Sequence, residues 1–237
     1  GGGADEYAVA AYVWPSCHHD ERFGEMLWPD GIGEWEIIKK GDPRFEGHHQ
    51  PKVPLWGYEM DDDPAVMEKW IDAASDHAVD VFIFDWYWFD GGPFLESALN
   101  DGFLKARNRD RMQFYLMWAN HDVRRNYWNV HKFKEDASVM WGGAVDRKNF
   151  DIVVDRVIRQ YFKQPNYFKI GGRPVFSIFH IKNLIDGLGG MEPAKEALGH
   201  FRRATQAAGF PGLHLQLIGN GAPRPEVVEQ IRQLGAD

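Results

Sequence analysis

The chain has 237 residues, 44% apolar and 26% charged, which suits one globular domain across residues 1–237 with a large core. A formal charge of -8 argues against a polyanionic partner such as nucleic acid, whose binding draws most of its affinity from clustered Lys and Arg. Cys17 is the only cysteine, so the chain can form neither an internal disulfide nor a Cys-rich zinc site.

The longest apolar runs fall well short of the roughly 18 residues a membrane helix needs, and Gly1-Gly2-Gly3-Ala4 lacks the basic and apolar regions of a signal peptide. No internal repeat or low-complexity linker interrupts the chain. The composition leaves one excess to explain: 14% aromatic residues, with 10 Trp.

The first predicted strand covers residues 8–13 and delivers Tyr12 and Trp14 into a long loop, residues 14–63. That loop holds Cys17-His18-His19-Asp20-Glu21 and Phe45-Glu46-Gly47-His48-His49-Gln50-Pro51. Its His and acid density raises a metal reading. No H-E-x-x-H or paired-cysteine spacing supports one, so solvated or hydrogen-bonding histidines are expected and no metal or other cofactor is assigned. Asp63 then caps a helix with Pro64 in its first turn, and Val66, Trp70, Ala74 and His77 recur along one face.

The second strand, residues 81–85, opens with the continuously apolar run Val81-Phe82-Ile83-Phe84, as expected of a parallel strand buried on both faces. Asp85-Trp86-Tyr87-Trp88-Phe89-Asp90-Gly91-Gly92 follows. Successive residues of an extended segment point to opposite faces, so some of these rings are expected at the mouth of the fold. Aromatic faces can bury the C–H patches of sugar rings while Asp, Asn and His satisfy hydroxyls. The competing reading is aromatic packing beneath a long loop.

A helix is predicted over 93–105 and a third strand over 113–118, which ends in Trp118-Ala119-Asn120-His121-Asp122. A second long loop, residues 119–148, carries Arg124 and Arg125, which suit solvated charges or carboxylate partners as well as substrate contacts. A helix over 149–163, a strand over 174–178 and His180 come next. Gly187-Leu188-Gly189-Gly190 lacks a Walker lysine and the full dinucleotide fingerprint, and reads as a flexible connection. A helix over 193–208, a strand over 213–218, Gly219-Asn220-Gly221 where backbone could approach a ligand, and a helix over 225–234 complete the chain. No Ser nucleophile elbow is present.

Five consecutive strand-helix units predict a parallel α/β sheet, and both an open doubly wound sheet and a barrel satisfy the rhythm. Long loops follow strands and short ones follow helices, which gathers the long loops at the carboxyl ends of the strands, where both folds place their sites. Leu234-Gly235-Ala236-Asp237 resembles the helix exit at His77-Ala78-Val79-Asp80. A sixth strand is therefore expected beyond Asp237, as in a (β/α)8 TIM-type barrel truncated after about five units, with a complete five-stranded fold as the alternative.

Several motifs, in order, resemble one family. Ala10-Ala11-Tyr12, Gly33-Glu34-Trp35, Phe45 to Pro51, Asp63-Pro64-Ala65-Val66-Met67, Val81 to Phe89, Trp118-Ala119-Asn120, Tyr161-Phe162 and Gly172-Arg173-Pro174 are similar to the WbsX-like group, a relative of glycoside hydrolase family 99. The resemblance implies a (β/α)8 barrel acting on glycans. Family 99 cleaves internal α-mannosidic linkages with retention, the substrate 2-hydroxyl attacking the anomeric carbon while two glutamates act as base and acid, unlike the usual enzyme nucleophile. Those glutamates lie in an Asn-Glu-Trp-like motif that this sequence lacks, so the catalytic pair is expected beyond Asp237.

On this reading the chain supplies substrate-binding residues: Tyr12, His48, Gln50, Asp85, Trp86, Tyr87, Trp88, Trp118, Asn120 and His121. Where the family often has an acid after Trp-Ala-Asn, this chain has His121-Asp122. Burial of Asp85 or Asp122 among the aromatics would raise its pKa and allow proton donation. The expected partner is an oligosaccharide or polysaccharide and the expected activity a retaining glycoside hydrolase. The WbsX-like group also carries a polysaccharide-biosynthesis glycosyltransferase label, and a non-catalytic glycan-binding domain is the third alternative.

Overall fold

A computed structural model describes residues 7–219 and 224–237. Asn220 and Gly221, singled out above as a backbone approach to ligand, lie outside the described residues. Five parallel strands form the centre: β1 (Ala10–Val13), β2 (Val81–Phe89), β3 (Gln113–Trp118), β4 (Arg173–Ile178) and β5 (His214–Leu217). Each pairs with its successor in the chain, in spatial order β1-β2-β3-β4-β5. An unbroken order is singly wound, unlike a doubly wound sheet, whose order reverses at a switch point. Among the described residues β1 and β5 are the edges of the parallel sheet.

Five helices complete the strand-helix rhythm: α1 (Pro64–Asp76), α2 (Arg147–Val157), α3 (Ile181–Gly187), α4 (Met191–Ala207) and α5 (Pro225–Leu234). Their starts follow from capping chemistry. The Asp63 carboxylate accepts from the Ala65 N–H at 2.8 Å ahead of α1, and Asp146 accepts from Asn149 at the same distance ahead of α2. Gly235 ends α5 at φ 70°, a left-handed conformation that favours glycine.

The parity of β2 sets the two faces of the sheet. Phe82, Phe84, Trp86 and Trp88 share one row with Phe114, Leu116 and Trp118 of β3 and Phe176 and Ile178 of β4, by register. Helices cover this row. Phe84 meets Phe103 at 5.2 Å between centroids, Trp118 meets Phe150 of α2 at 6.2 Å, and Phe176 meets Phe201 of α4 at 5.3 Å. Burying each such ring stabilises the fold by about 1.5–3 kcal/mol, which makes this layer the main core. The opposite row carries Tyr12, Ile83, Asp85, Tyr87, Tyr115, Met117, Ser177 and Gln216.

Two expectations need correction. β2 runs four residues past Asp85, because Gly92–Phe94 folds back antiparallel on Tyr87–Phe89 and extends the pairing. The helix expected over 93–105 is replaced by that return strand, a π-helical turn at Ala98–Gly102 and a 3-10 turn at Phe103–Lys105. Pro93 is spent on the return strand and Leu95 at φ 57° breaks the chain direction before any helix can start.

No helix among the described residues is long and apolar enough to cross a membrane. No group of three or more His, Cys, Asp or Glu among them could hold a metal ion.

Candidate functional site

The loop after β1 is anchored by a buried pair. His18 and Asp61 have no exposed side-chain surface, and His18 Nδ1 lies 2.6 Å from Asp61 Oδ1. Asp61 Oδ2 accepts from the Cys17 N–H at 2.9 Å, so both carboxylate oxygens fix the loop. Gly33, at φ 59°, brings the chain back so close that a Cβ there would lie 2.1 Å from the Ser16 carbonyl oxygen. The next residue, Glu34, is thereby aimed beneath Trp14 and Ser16.

Trp14 Nε1 and Ser16 Oγ donate to the same Glu34 oxygen, at 2.7 and 2.6 Å. Burial pushes the Glu34 carboxyl above its ordinary pKa, against the pull of those two hydrogen bonds. Nearby, burial raises the Cys17 thiol to about 12, which keeps it un-ionised and makes it a poor nucleophile.

Asp85 is the one charged side chain of β2, set on the row opposite the helix-covered one among apolar and aromatic neighbours. Its Oδ1 is buried without a hydrogen-bond partner, and its Oδ2 lies 3.5 Å from the Tyr87 hydroxyl. Desolvation pushes its pKa to about 7, opposed weakly by Tyr87. Near neutral pH this carboxyl is close to half protonated, able to donate or accept. Burial also raises Tyr87 well above the usual phenol range, followed by the charge of Asp85.

Rings converge on these acids. Trp14 packs against Tyr87, Tyr127 and Trp128 at 6.1, 6.4 and 5.8 Å, and His121 meets Tyr87, Tyr127 and Phe179 at 6.3, 6.2 and 5.8 Å. Tyr12 (62% exposed), Trp14 (39%) and Tyr127 (55%) present open ring surface. A cavity of about 350 Å³ opens beside them, lined by His121, Asp122, Arg124, Tyr127 and Phe179. Exposed hydrophobic faces next to hydrogen-bonding groups can stack on a sugar and read its hydroxyls.

Four of the ten residues expected to bind substrate therefore come together here: Tyr12, Asp85 and His121, with Tyr87 fully buried behind them and in contact through Asp85, Trp14 and His121. Trp86, Trp88 and Trp118 do not, since strand alternation turns them to the helix-covered face, where they are at most 4% exposed. Trp86 Nε1 donates to Glu96 at 2.7 Å, and Trp88 Nε1 to Asn149 at 3.3 Å. Asn120 is buried and spent on structure. Its amide oxygen accepts from the His180 N–H at 2.7 Å while its nitrogen donates to the His180 carbonyl at 2.9 Å, tying the ends of β3 and β4 together.

His48 and Gln50 line a separate cavity farther along the loop after β1. Asp122 is exposed and holds the loop after β3, accepting from Gly143 N–H at 2.9 Å and Asn183 Nδ2 at 3.1 Å. The site also includes three residues outside those ten: Trp14, Glu34 and Tyr127. Trp14 and Glu34 stood in segments already noted, but nothing local marks Tyr127.

Fold and site together define an α/β protein with a singly wound parallel sheet, its aromatic and titratable groups gathered at the carboxyl ends of the strands. The chain belongs to the glycosyltransferase WbsX family, a carbohydrate-active family whose model matches residues 9–236. Two relatives, both described as "Uncharacterized protein WxcX", come from Xanthomonas campestris pv. campestris strains B100 and ATCC 33913. Each is 25% identical over 232 residues, 92% of this chain and 29% of its own length. The chain thus spans under a third of these curated relatives.

Among solved structures, a "Glycoside hydrolase-like protein" matches with TM-score 0.52 and 14% identity, over 91% of this chain and 52% of its own, and shares the fold. The GH99 endo-alpha-mannosidase from Bacteroides thetaiotaomicron matches with TM-score 0.49 and 12% identity, over 97% of this chain and 59% of its own.

Proposed function

We propose that this chain forms the sugar-binding floor of a retaining glycoside hydrolase acting on α-linked polysaccharide or oligosaccharide, within a (β/α)8 barrel. The observation that carries the reading is Asp85, a carboxyl with a pKa near 7 at the carboxyl end of a central strand, among aromatic rings with open faces. A sugar seated there stacks its C–H face on Tyr12 or Trp14. Its hydroxyls meet Asp85, His121 and the Tyr127 phenol.

A carboxyl held near half protonation can accept from one hydroxyl and donate to the next as the glycan shifts between bound states. The two bond-breaking carboxyl groups are assigned to a later strand, in line with the resemblance to family 99. A glycosyltransferase is the second reading, favoured by the description of the family to which the chain belongs.

Calorimetric titration with α-mannan, rhamnan and bacterial oligosaccharides tests the floor directly. At least one glycan should bind, and Asp85→Ala should weaken it about ten-fold, a loss of roughly 1.4 kcal/mol. A folded chain that binds nothing on the panel would refute the reading. Release of reducing ends by the full-length protein separates hydrolase from transferase, which would instead consume an activated sugar donor.

A further inference from the structure

The cavity holding His48 and Gln50 lies on the same loop cluster as the site above. Ile37 and Ile38 line it, and they follow Glu34 by three and four residues in one short helix (Trp35–Lys39). Val130 and His131 line its other side, beginning three residues after Tyr127. The spacing from Glu34 to Ile37 amounts to about one helical turn, roughly 5 Å, so that wall of the site continues into the cavity, and His131 Nε2 lies 3.2 Å from the Ile37 carbonyl oxygen across it. Its volume is about 740 Å³, within the roughly 300–1,000 Å³ typical of small-molecule sites.

Its chemistry differs from that of the site around Asp85. Isoleucine and valine side chains offer apolar contact, while Arg44 and Lys52 bring two cations and Asp42 the one acid among the lining residues. Arg44 and Lys52 enter the hydrogen bonding of the described residues only through backbone groups, and neither side chain makes an ion pair among them. Of the neighbouring lysines, Lys40 pairs with Glu36 and Asp30, Lys69 pairs with Glu59, and Lys39 lies over the Tyr58 ring at 5.2 Å. Two unpaired cations at a cavity, in a chain of net charge -8, form a local exception to the charge of the molecule. The rim is ordered, since Arg44 N–H donates to His48 Nδ1 at 3.1 Å and the Lys52 N–H to Gln50 Oε1 at 3.1 Å.

We propose that this cavity is a subsite for an anionic sugar residue, its ring against Ile37, Ile38 and Val130 and its acidic group held by Arg44 and Lys52. Arg44 can grip a carboxylate or phosphate through two parallel N–H donors, and Lys52 adds a point charge. The proposal rests on the reading of the adjacent face as a glycan floor and narrows the substrate to an acidic glycan or sugar phosphate.

The test compares pairs of probes that differ in charge: oligogalacturonate against its methyl ester, and glucose 1-phosphate against glucose. Binding is measured by calorimetry, and location by the His48 and His131 imidazole resonances. The charged member of one pair should bind about five-fold more tightly, a modest factor because exposed ion pairs contribute little. Arg44→Gln with Lys52→Gln should abolish that advantage and leave the neutral member unchanged. The pair that shows the effect identifies a uronic acid or a sugar phosphate.

Equal affinities within both pairs, an advantage surviving the double variant, or no binding of any probe would overturn the subsite. Asp85→Ala supplies the independent control. If it weakens no glycan, the floor reading fails, while the charge ratio still decides the subsite.

Discussion

Replacing Asp85 by Asn should stabilise the protein at neutral and alkaline pH and leave it unchanged in acid. In the folded chain the carboxyl titrates near 7 instead of its ordinary 3.8, because burial disfavours the charged form. Below pH 3.8 the group is neutral in both folded and unfolded chains and contributes no difference. Between 3.8 and 7 the unfolded chain sheds the proton while the folded chain keeps it, so stability falls as pH rises. Above 7 the loss is complete, about 4 kcal/mol at roughly 1.4 kcal/mol per tenfold change in proton affinity.

Asn keeps the shape of the side chain and carries no charge. The stability difference between Asp85→Asn and the parent should therefore be near zero at pH 3.5, climb through pH 5 to 7, and level off by pH 8. Urea denaturation across that range measures it, and other titrating groups cancel in the comparison. A difference that stays constant with pH, or one that favours the parent above pH 7, would refute the assignment of a desolvated Asp85.

Gly33→Ala should cost at least about 2 kcal/mol of stability and weaken glycan binding, because a left-handed backbone disfavours Ala and the new Cβ would meet the Ser16 carbonyl; urea melts and titration calorimetry check both. Arg156→Met should destabilise by about 3 kcal/mol, since it leaves the buried Glu96 carboxylate without its guanidinium partner. The double change with Glu96→Gln should recover much of that loss in a denaturant double-mutant cycle.

The strands were legible because Val81-Phe82-Ile83-Phe84 and Val175-Phe176-Ser177-Ile178 are too apolar for anything but a doubly covered parallel sheet. The run from Asp85 to Phe89 was harder. Alternation says that Trp86 and Trp88 share a face opposite Asp85 and Tyr87, but period two alone does not say which face is covered. Asp85 was the clue, since a lone carboxyl in an apolar strand belongs on the side with access to solvent. Applied to the run, that rule separates Tyr87 from the two tryptophans without a structure.

Asn120 misleads for a different reason. Asn suits a sugar hydroxyl and a backbone amide equally well, and only the approach of His180 decides between them. Tyr127 reaches the site from within a long loop, where neither periodicity nor spacing carries a signal. The separate placement of His48 and Gln50 depends on how the loop after β1 is folded, which its sequence does not encode in any short-range pattern.

The opposed rows of β2 leave the strand open to redesign in halves. A change at Asp85 alters the row opposite the helices while the packing of Phe82, Phe84, Trp86 and Trp88 is untouched, whereas Ile83 and Tyr87 on that same row are themselves buried in the core. A single-residue deletion within the strand would exchange the rows, turning a carboxylate under the helices and moving two indoles off the surface the helices cover. Directed evolution of this strand should therefore accept changes at Asp85 more readily than at its buried neighbours and tolerate no insertion or deletion between the rows.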